Sequence, residues 1–219
     1  MLVIGHRGAA GLAPENTLES LRAGKDAGAD ILEFDVRITA DGIPILCHDP
    51  TLHGRVVRKT TYSELKKLGN VTKLTSVLDE FLGDILLNLE YKPFDGIEIV
   101  YALLNKKYIT SPNQWDTIII SSFHIRVLWK LRSLSKHVNL ALLHSVNPFA
   151  FVTYNRKLKL AAVGWHRLHV NKLAIEIAKK SKLFTYVYTV NRPQAAKLLA
   201  QRDIDAVVTD YPKTISTSL

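Results

Sequence analysis

Eight short apolar runs recur along this 219-residue chain: Leu2–Gly5, Ile31–Val36, Ile85–Glu90, Thr117–Ser121, Asn139–Leu143, Leu160–Gly164, Phe184–Val190 and Ala206–Thr209. Most are hydrophobic at successive positions. A strand with one face in water alternates apolar and polar residues. A continuous run must be covered on both faces, the condition of a parallel sheet packed under helices. Amphipathic stretches lie between most of the runs: Asn16–Ala27, Ser63–Leu68, Ser76–Leu82, Gly96–Lys107, His124–Ser135, Asn171–Ser181 and Pro193–Gln201. The alternation predicts an α/β protein. Eight strands in a chain of this length predict a compact (β/α)8 TIM barrel. A doubly wound sheet is the alternative, but its Gly-rich first turn runs into a helix. Here Gly8-Ala9-Ala10-Gly11 leads into Leu12-Ala13-Pro14. No repeat, low-complexity tract or linker interrupts residues 1–219, which read as a single domain.

One segment breaks the alternation. Ile43–His48 follows the second strand after only Thr39-Ala40-Asp41-Gly42, too short for a parallel crossover. Asp41-Gly42 predicts a two-residue hairpin turn. In that register Ala40 faces Ile43 and Asp35 faces His48, so Glu33, Asp35 and His48 share one face.

Charged residues gather at the ends of these apolar runs. Glu33 and Asp35 point the same way from one strand, flanked by Ile31, Leu32, Phe34 and Val36. Two buried like charges so close repel unless a cation or proton lies between them. Glu90 closes the run Ile85–Leu89. The three together form an all-oxygen set suited to a hard divalent ion, Mg²⁺ or Ca²⁺. His6 and His48 are candidates for general acid and base because imidazole titrates near neutral pH. Arg7 carries a planar fork matched to a phosphate. Cys47 reads as a buried spectator thiol.

A formal net charge of +9 favours anionic partners: nucleic acid, a phospholipid surface or a phosphorylated small molecule. The cations are scattered as pairs such as Lys66-Lys67 and Lys179-Lys180, with no basic tail. A solvated face explains such pairs, so charge alone selects no partner. The single cysteine and the lack of a signal-peptide pattern or a bilayer-length apolar stretch give a cytoplasmic expectation.

The ordered series His6-Arg7-Gly8, Ala13–Thr17, Glu33–Val36, Thr39–Pro44 and His48–Leu52 resembles the signature motifs of the glycerophosphodiester phosphodiesterase family. Weaker matches continue at Asn88–Lys92, Ser121–Phe123, Tyr188–Asn191 and Val208–Pro212, so the resemblance spans the whole chain. It implies a TIM barrel with its site at the C-terminal ends of the strands. It also implies one divalent ion on Glu33, Asp35 and Glu90, a His6/His48 acid–base pair, and phosphate held by Arg7 and Lys92. The implied substrate is a small glycerophosphodiester, cleaved through a cyclic phosphate to glycerol phosphate and a free alcohol. Ser122, Phe123, Tyr188 and Asn191 are expected pocket residues at strand ends.

The chain departs from the family pattern at His53–Arg58, at Tyr188 where tryptophan is usual, and at Asp203 and Ala206, which replace glycines. The short span from His48 to Glu90 predicts a small or absent cap. These departures bear on the headgroup pocket, not on the core residues. A lysophospholipase-D-like enzyme of the same fold, with peripheral contact to a phospholipid membrane, is the nearest alternative. A non-catalytic binder of phosphate headgroups or nucleic acid is disfavoured, because binding alone needs no paired histidines; no nucleic-acid partner is expected.

Overall fold

A computed structural model describes residues 1–219. Eight parallel strands close on themselves: β1 (Leu2–Gly5), β2 (Ile31–Ile38), β6 (Leu86–Tyr91), β7 (Ile118–Ser122), β8 (Asn139–His144), β9 (Ala162–His166), β10 (Phe184–Tyr188) and β11 (Ala206–Thr209). β1 pairs with both β11 and β2, which seals the ring. The helices α1 (Leu18–Asp26), α3 (Leu74–Phe81), α4 (Ile97–Leu103), α5 (Ile125–Leu134), α6 (Ala150–Leu158), α7 (Lys172–Lys180) and α8 (Pro193–Ala200) fill the crossovers. A last helix, α9 (Pro212–Ser216), packs on β1. The expected (β/α)8 TIM barrel is therefore present. No helix is long and apolar enough to cross a membrane.

The continuity of the apolar runs has a direct cause, since each strand is buried on both sides. Residues of one parity, including Phe34, Leu89, Ile120, Val163 and Val207, face the helices in the larger core. Those of the other parity fill the barrel, where Ile4, Ile31, Ala141, Leu143, Ala162, Tyr186, Ala206 and Val208 form a separate cluster. Small residues there make room for one large one. A Cβ on Gly164 would lie 2.6 Å from the Tyr186 ring and 2.7 Å from Leu143.

The excursion after β2 contains β3 (Pro44–Leu46), a hairpin of β4 (Thr51–Leu52) and β5 (Arg55–Val56), and α2 (Tyr62–Leu68). β1 pairs with β2 only at Ile31 and Leu32, so the far half of β2 has a free edge. The antiparallel β3 occupies it. The turn differs from the expected one. Val36 faces Leu46 and Arg37 faces Ile45, and Thr39 N–H donates to the Ile43 carbonyl at 3.1 Å. The loop thus has three residues, Ala40, Asp41 and Gly42. Asp41 is drawn into it by the Thr39 hydroxyl (2.5 Å) and the Tyr62 amide (3.0 Å), and Gly42 supplies the positive φ that closes it. One residue of shift inverts the side-chain parity. Cys47, not His48, stands opposite Asp35, with Cys47 N–H donating to the Asp35 carbonyl at 3.0 Å. Strand pairing therefore does not put His48 on the carboxylate face, contrary to the expectation from a two-residue turn.

Two other departures are local. α6 and α9 have no counterpart among the amphipathic stretches read from the sequence, and β9 begins two residues later than its apolar run. Phe151 and Leu158 bury one side of α6, while Asn155, Arg156 and Lys157 hold the other in a short, highly polar pattern.

Candidate active site

At the C-terminal ends of the strands the barrel interior turns from apolar to charged. β2 and β6 run in register with Glu33 beside Asn88 and Asp35 beside Glu90. Carboxylate oxygens of Glu33, Asp35 and Glu90 all lie within 4.8 Å of one another. Glu33 and Asp35 are buried. Burial and the neighbouring Asp35 charge push the Glu33 carboxyl up to about 8, and the same causes raise Glu90. The mutual repulsion of these buried carboxylates is what a divalent ion would relieve, and their all-oxygen donors match a hard cation.

Two cations already lean on it. The Lys92 ammonium lies 2.5 Å from Glu90 Oε1 and 3.4 Å from Asp35 Oδ1. Arg7 sits just after β1 in a left-handed conformation, φ 50°. This aims its backbone N–H at Glu33 Oε2 (2.8 Å), while its guanidinium reaches Glu15 (2.7 Å) and Asp35 (3.3 Å). The adjacent Gly8 has φ 88°, and a Cβ there would come within 2.4 Å of the Ser20 backbone. No other residue type permits that approach.

His6 follows β1 and is held from across the closure of the barrel. Its Nδ1 lies 2.6 Å from Asp210 Oδ1. Asp210 is fixed in turn by Asn191, whose Nδ2 donates to Oδ2 at 2.5 Å and whose Oδ1 accepts from the Asp210 amide at 2.9 Å. Burial pulls the His6 pKa down, but the Asp210 hydrogen bond and the Glu33 charge outweigh it, and the net shift is upward. His48 lies beyond β3 in the excursion, more open to solvent. Its Nδ1 meets Asp49 Oδ1 at 2.8 Å, and its carbonyl accepts two bonds from the Arg37 guanidinium, at 2.8 and 2.9 Å. Cys47 is buried, and desolvation raises its thiol to about 11, which leaves it a neutral packing group.

A small cavity joins His6, Glu33, Asn88, Glu90, Ser121, Tyr186 and Tyr188. Of the expected pocket residues, Tyr188 lines it. Phe123 stands at the rim, its ring edge-on to Tyr188 at 5.9 Å and 5.7 Å from the Lys92 ammonium. Asn191 acts through Asp210. Ser122 points away from the interior, where its hydroxyl donates to the Tyr91 carbonyl and accepts from the His124 amide. The neighbouring Ser121 has the inward parity instead and donates to Asn88 Oδ1 at 2.8 Å.

The sequence profile of the Glycerophosphoryl diester phosphodiesterase family matches residues 6–214. The chain belongs to this family. A glycerophosphodiester phosphodiesterase of Caldanaerobacter subterraneus is 28% identical over 98% of this chain and 96% of its own length. An uncharacterised Bacillus subtilis protein, YqiK, is 30% identical over 99% and 98% respectively. Among solved structures, an Oleispira antarctica phosphodiesterase in complex with the product sn-glycerol-3-phosphate superposes with a TM-score of 0.87 at 25% identity, over 100% of this chain and 96% of that one. A Thermotoga maritima glycerophosphodiester phosphodiesterase gives 0.85 at 27%, over 99% and 97%. The enzyme class expected from the motifs, a glycerophosphodiester phosphodiesterase, is thus the class of its relatives.

Besides the cavity residues Asn88, Ser121 and Tyr186, two residues that position the site carried no assigned role in the sequence. Asn16, buried with φ 58°, donates to Asp35 Oδ2 and accepts from the Asp35 amide, both at 2.9 Å. Asp210 holds His6. Both stand inside motifs that mark the family, which was the available signal. Their partners were not visible, because each bond spans a distance in sequence that no local pattern records.

Proposed function

We propose that this phosphodiesterase hydrolyses small glycerophosphodiesters to glycerol phosphate and an alcohol such as choline, ethanolamine or glycerol, with His6 as general acid and His48 as general base. The observation that carries the reading is the carboxylate trio of Glu33, Asp35 and Glu90 beside the Asp210-held His6. Those three residues would bind one divalent ion, Mg²⁺ or Ca²⁺, which when bound stabilises negative charge on the phosphoryl oxygens. Lys92 and the unengaged N–H groups of Arg7 orient the phosphate from the same side.

His48 Nδ1 is occupied by Asp49, which leaves Nε2 to take the proton of the glycerol hydroxyl next to the phosphate. The freed oxygen bonds to phosphorus, and the P–O bond to the headgroup alcohol breaks. His6, whose protonated form Asp210 and Glu33 favour, gives that alcohol its proton. Water then opens the cyclic phosphate with the two histidines exchanging roles.

Release of glycerol phosphate from glycerophosphocholine by the purified protein, with and without excess EDTA, tests the reading. Turnover should need added divalent ion, and His6→Ala and His48→Ala should each lower it by at least about 10²-fold. Undiminished turnover in EDTA would remove the metal assignment. Absence of any glycerol phosphate under metal titration would remove the reaction.

A further inference from the structure

Of the seventeen large apolar side chains left in solvent, six share the catalytic end of the barrel. Leu12, Phe94, Phe123, Val146, Leu168 and Tyr211 are all exposed, and each stands in a different loop that follows a barrel strand. Six of the eight strand-to-helix connections therefore carry one apolar tip on the catalytic face. Leu168 and Val146, 72% and 70% exposed, are the most exposed large apolar residues in the chain. Tips in loop after loop around one rim form a ring, whereas singly scattered apolar residues would need no explanation.

The ring is stitched to aromatic and cationic groups. Arg58 lies 6.0 Å over the Phe94 ring, and Phe94 meets His124 at 6.5 Å. Lys92, Phe123, Tyr188, His166 and His169 form a second chain of neighbours, each 5.7–6.0 Å from the next.

Charge on this face has one sign to spare. The carboxylates within those six loops, Glu15, Asp95 and Asp210, are each engaged by a cation, Arg7, Arg58 and His6, and in the first turns of the helices that follow only Glu19 and Glu98 are exposed and unpaired. Against those two acids, Arg126, Arg167, Lys172 and Lys213 stand at the same strand-to-helix ends and Arg192 in the connection after β10; all five are exposed and none enters an ion pair. Apolar tips for the acyl boundary, amphipathic rings at headgroup level and unpaired cations for lipid phosphates are the elements of interfacial binding.

We infer that the C-terminal rim of the barrel is a docking surface for an anionic phospholipid membrane, seated so that the active-site mouth faces the lipid headgroups. A second copy of the chain is disfavoured as occupant, because two such faces would bring like charges together. Docking of this kind is independent of the hydrolytic reading, and binding can be measured without turnover.

Flotation with vesicles of pure phosphatidylcholine, or of phosphatidylcholine with phosphatidylglycerol, reads the surface directly. The wild-type protein should bind the anionic vesicles, and more weakly as salt rises. A Val146→Ser/Leu168→Ser double variant should lower the partition coefficient at least about tenfold. An Arg167→Gln/Lys172→Gln variant should lower it about 30-fold on anionic vesicles, from roughly one kcal/mol per charge. Hydrolysis of soluble glycerophosphocholine should be unchanged in the serine variant, which also reports that it is folded. Equal binding of wild type and serine variant, equal binding to both vesicle types, or no binding to either overturns the inference. A concentration-dependent dimer in sedimentation velocity, abolished by the serine variant, assigns the face to self-association and overturns it too.

Discussion

Asp210→Asn isolates the step on which the assignment of His6 depends. In the wild type, Asp210 presents one oxygen to His6 Nδ1 at 2.6 Å and the other to Asn191 Nδ2 at 2.5 Å. An amide has one oxygen and one NH₂. Because Asn191 offers N–H at one end, the substituted side chain must turn its oxygen there and its NH₂ toward His6. Nδ1 then has to accept a bond, the imidazole loses its positive form, and its remaining proton moves to Nε2. The His6 pKa falls, since burial still lowers it and the Asp210 share of what opposed burial is gone. A hydrogen bond to a charged partner contributes about 1.5–3 kcal/mol net, equivalent to about 10- to 150-fold in rate. General acid–base catalysis as a whole is worth about 10²–10⁴-fold. A loss of about 10²-fold in kcat/KM at pH 7 is therefore expected, with the alkaline limb of the pH profile moved to lower pH.

Stability gives a second readout from the same pair. The folded His6 pKa lies above 6.5, so its stabilisation is complete below pH 6.5 and is lost as pH rises through the folded value. Asp210 is held below 3.8 because hydrogen bonds from His6 and Asn191 outweigh its burial; its stabilisation is present above pH 3.8 and lost as pH falls through the folded value. The gap between wild type and variant in urea unfolding should accordingly be widest between pH 3.8 and 6.5. A variant with less than about a fivefold rate loss and an unmoved alkaline limb would refute the reasoning.

Three further perturbations probe the rest of the barrel. Without metal, the Glu33 carboxyl at about 8 makes the protein lose stability as pH rises from 4.5 to 8; Glu33→Gln should flatten that slope in thermal melts, and an identical slope in the variant would exclude Glu33 as its source. Asn16→Ala removes a bond to the Asp35 carboxylate and orphans its buried amide, which should cost about 3 kcal/mol in urea unfolding, and a loss below about 1 kcal/mol would show that water replaces the side chain. Gly164→Ala drives a methyl to 2.6 Å from the Tyr186 ring and should cost about 1–3 kcal/mol, lowering Tm by roughly 2–10 °C; an unchanged Tm would mean that the barrel interior yields at no cost.

The barrel was legible because its signal is local. Each strand is buried on both faces, and that alone writes an unbroken apolar run into a handful of neighbouring residues. The carboxylates were legible for the same reason, since Glu33 and Asp35 are two apart on one strand and Glu90 ends another. The hairpin failed by one residue. Its register was decided by Asp41 bonding to the amide of Tyr62, and a two-residue turn signal contains no information about a partner 21 positions away.

The His6–Asp210 pair shows the limit in its sharpest form. The two residues are 204 positions apart and become neighbours only because β11 closes on β1. Closure is a property of all eight strands together, so no window on the sequence can display it. Yet it follows from the barrel once the barrel is accepted. His6 is the first residue past β1 and Asp210 the first past β11, and the register sets Gly5 beside Thr209. In a parallel pair, residues one step beyond matched positions share a face. The partner of His6 was thus deducible from topology although it was not readable from pattern. Pairing the first polar residue past each strand with its counterpart on the adjacent strand is the step by which a predicted barrel yields its site.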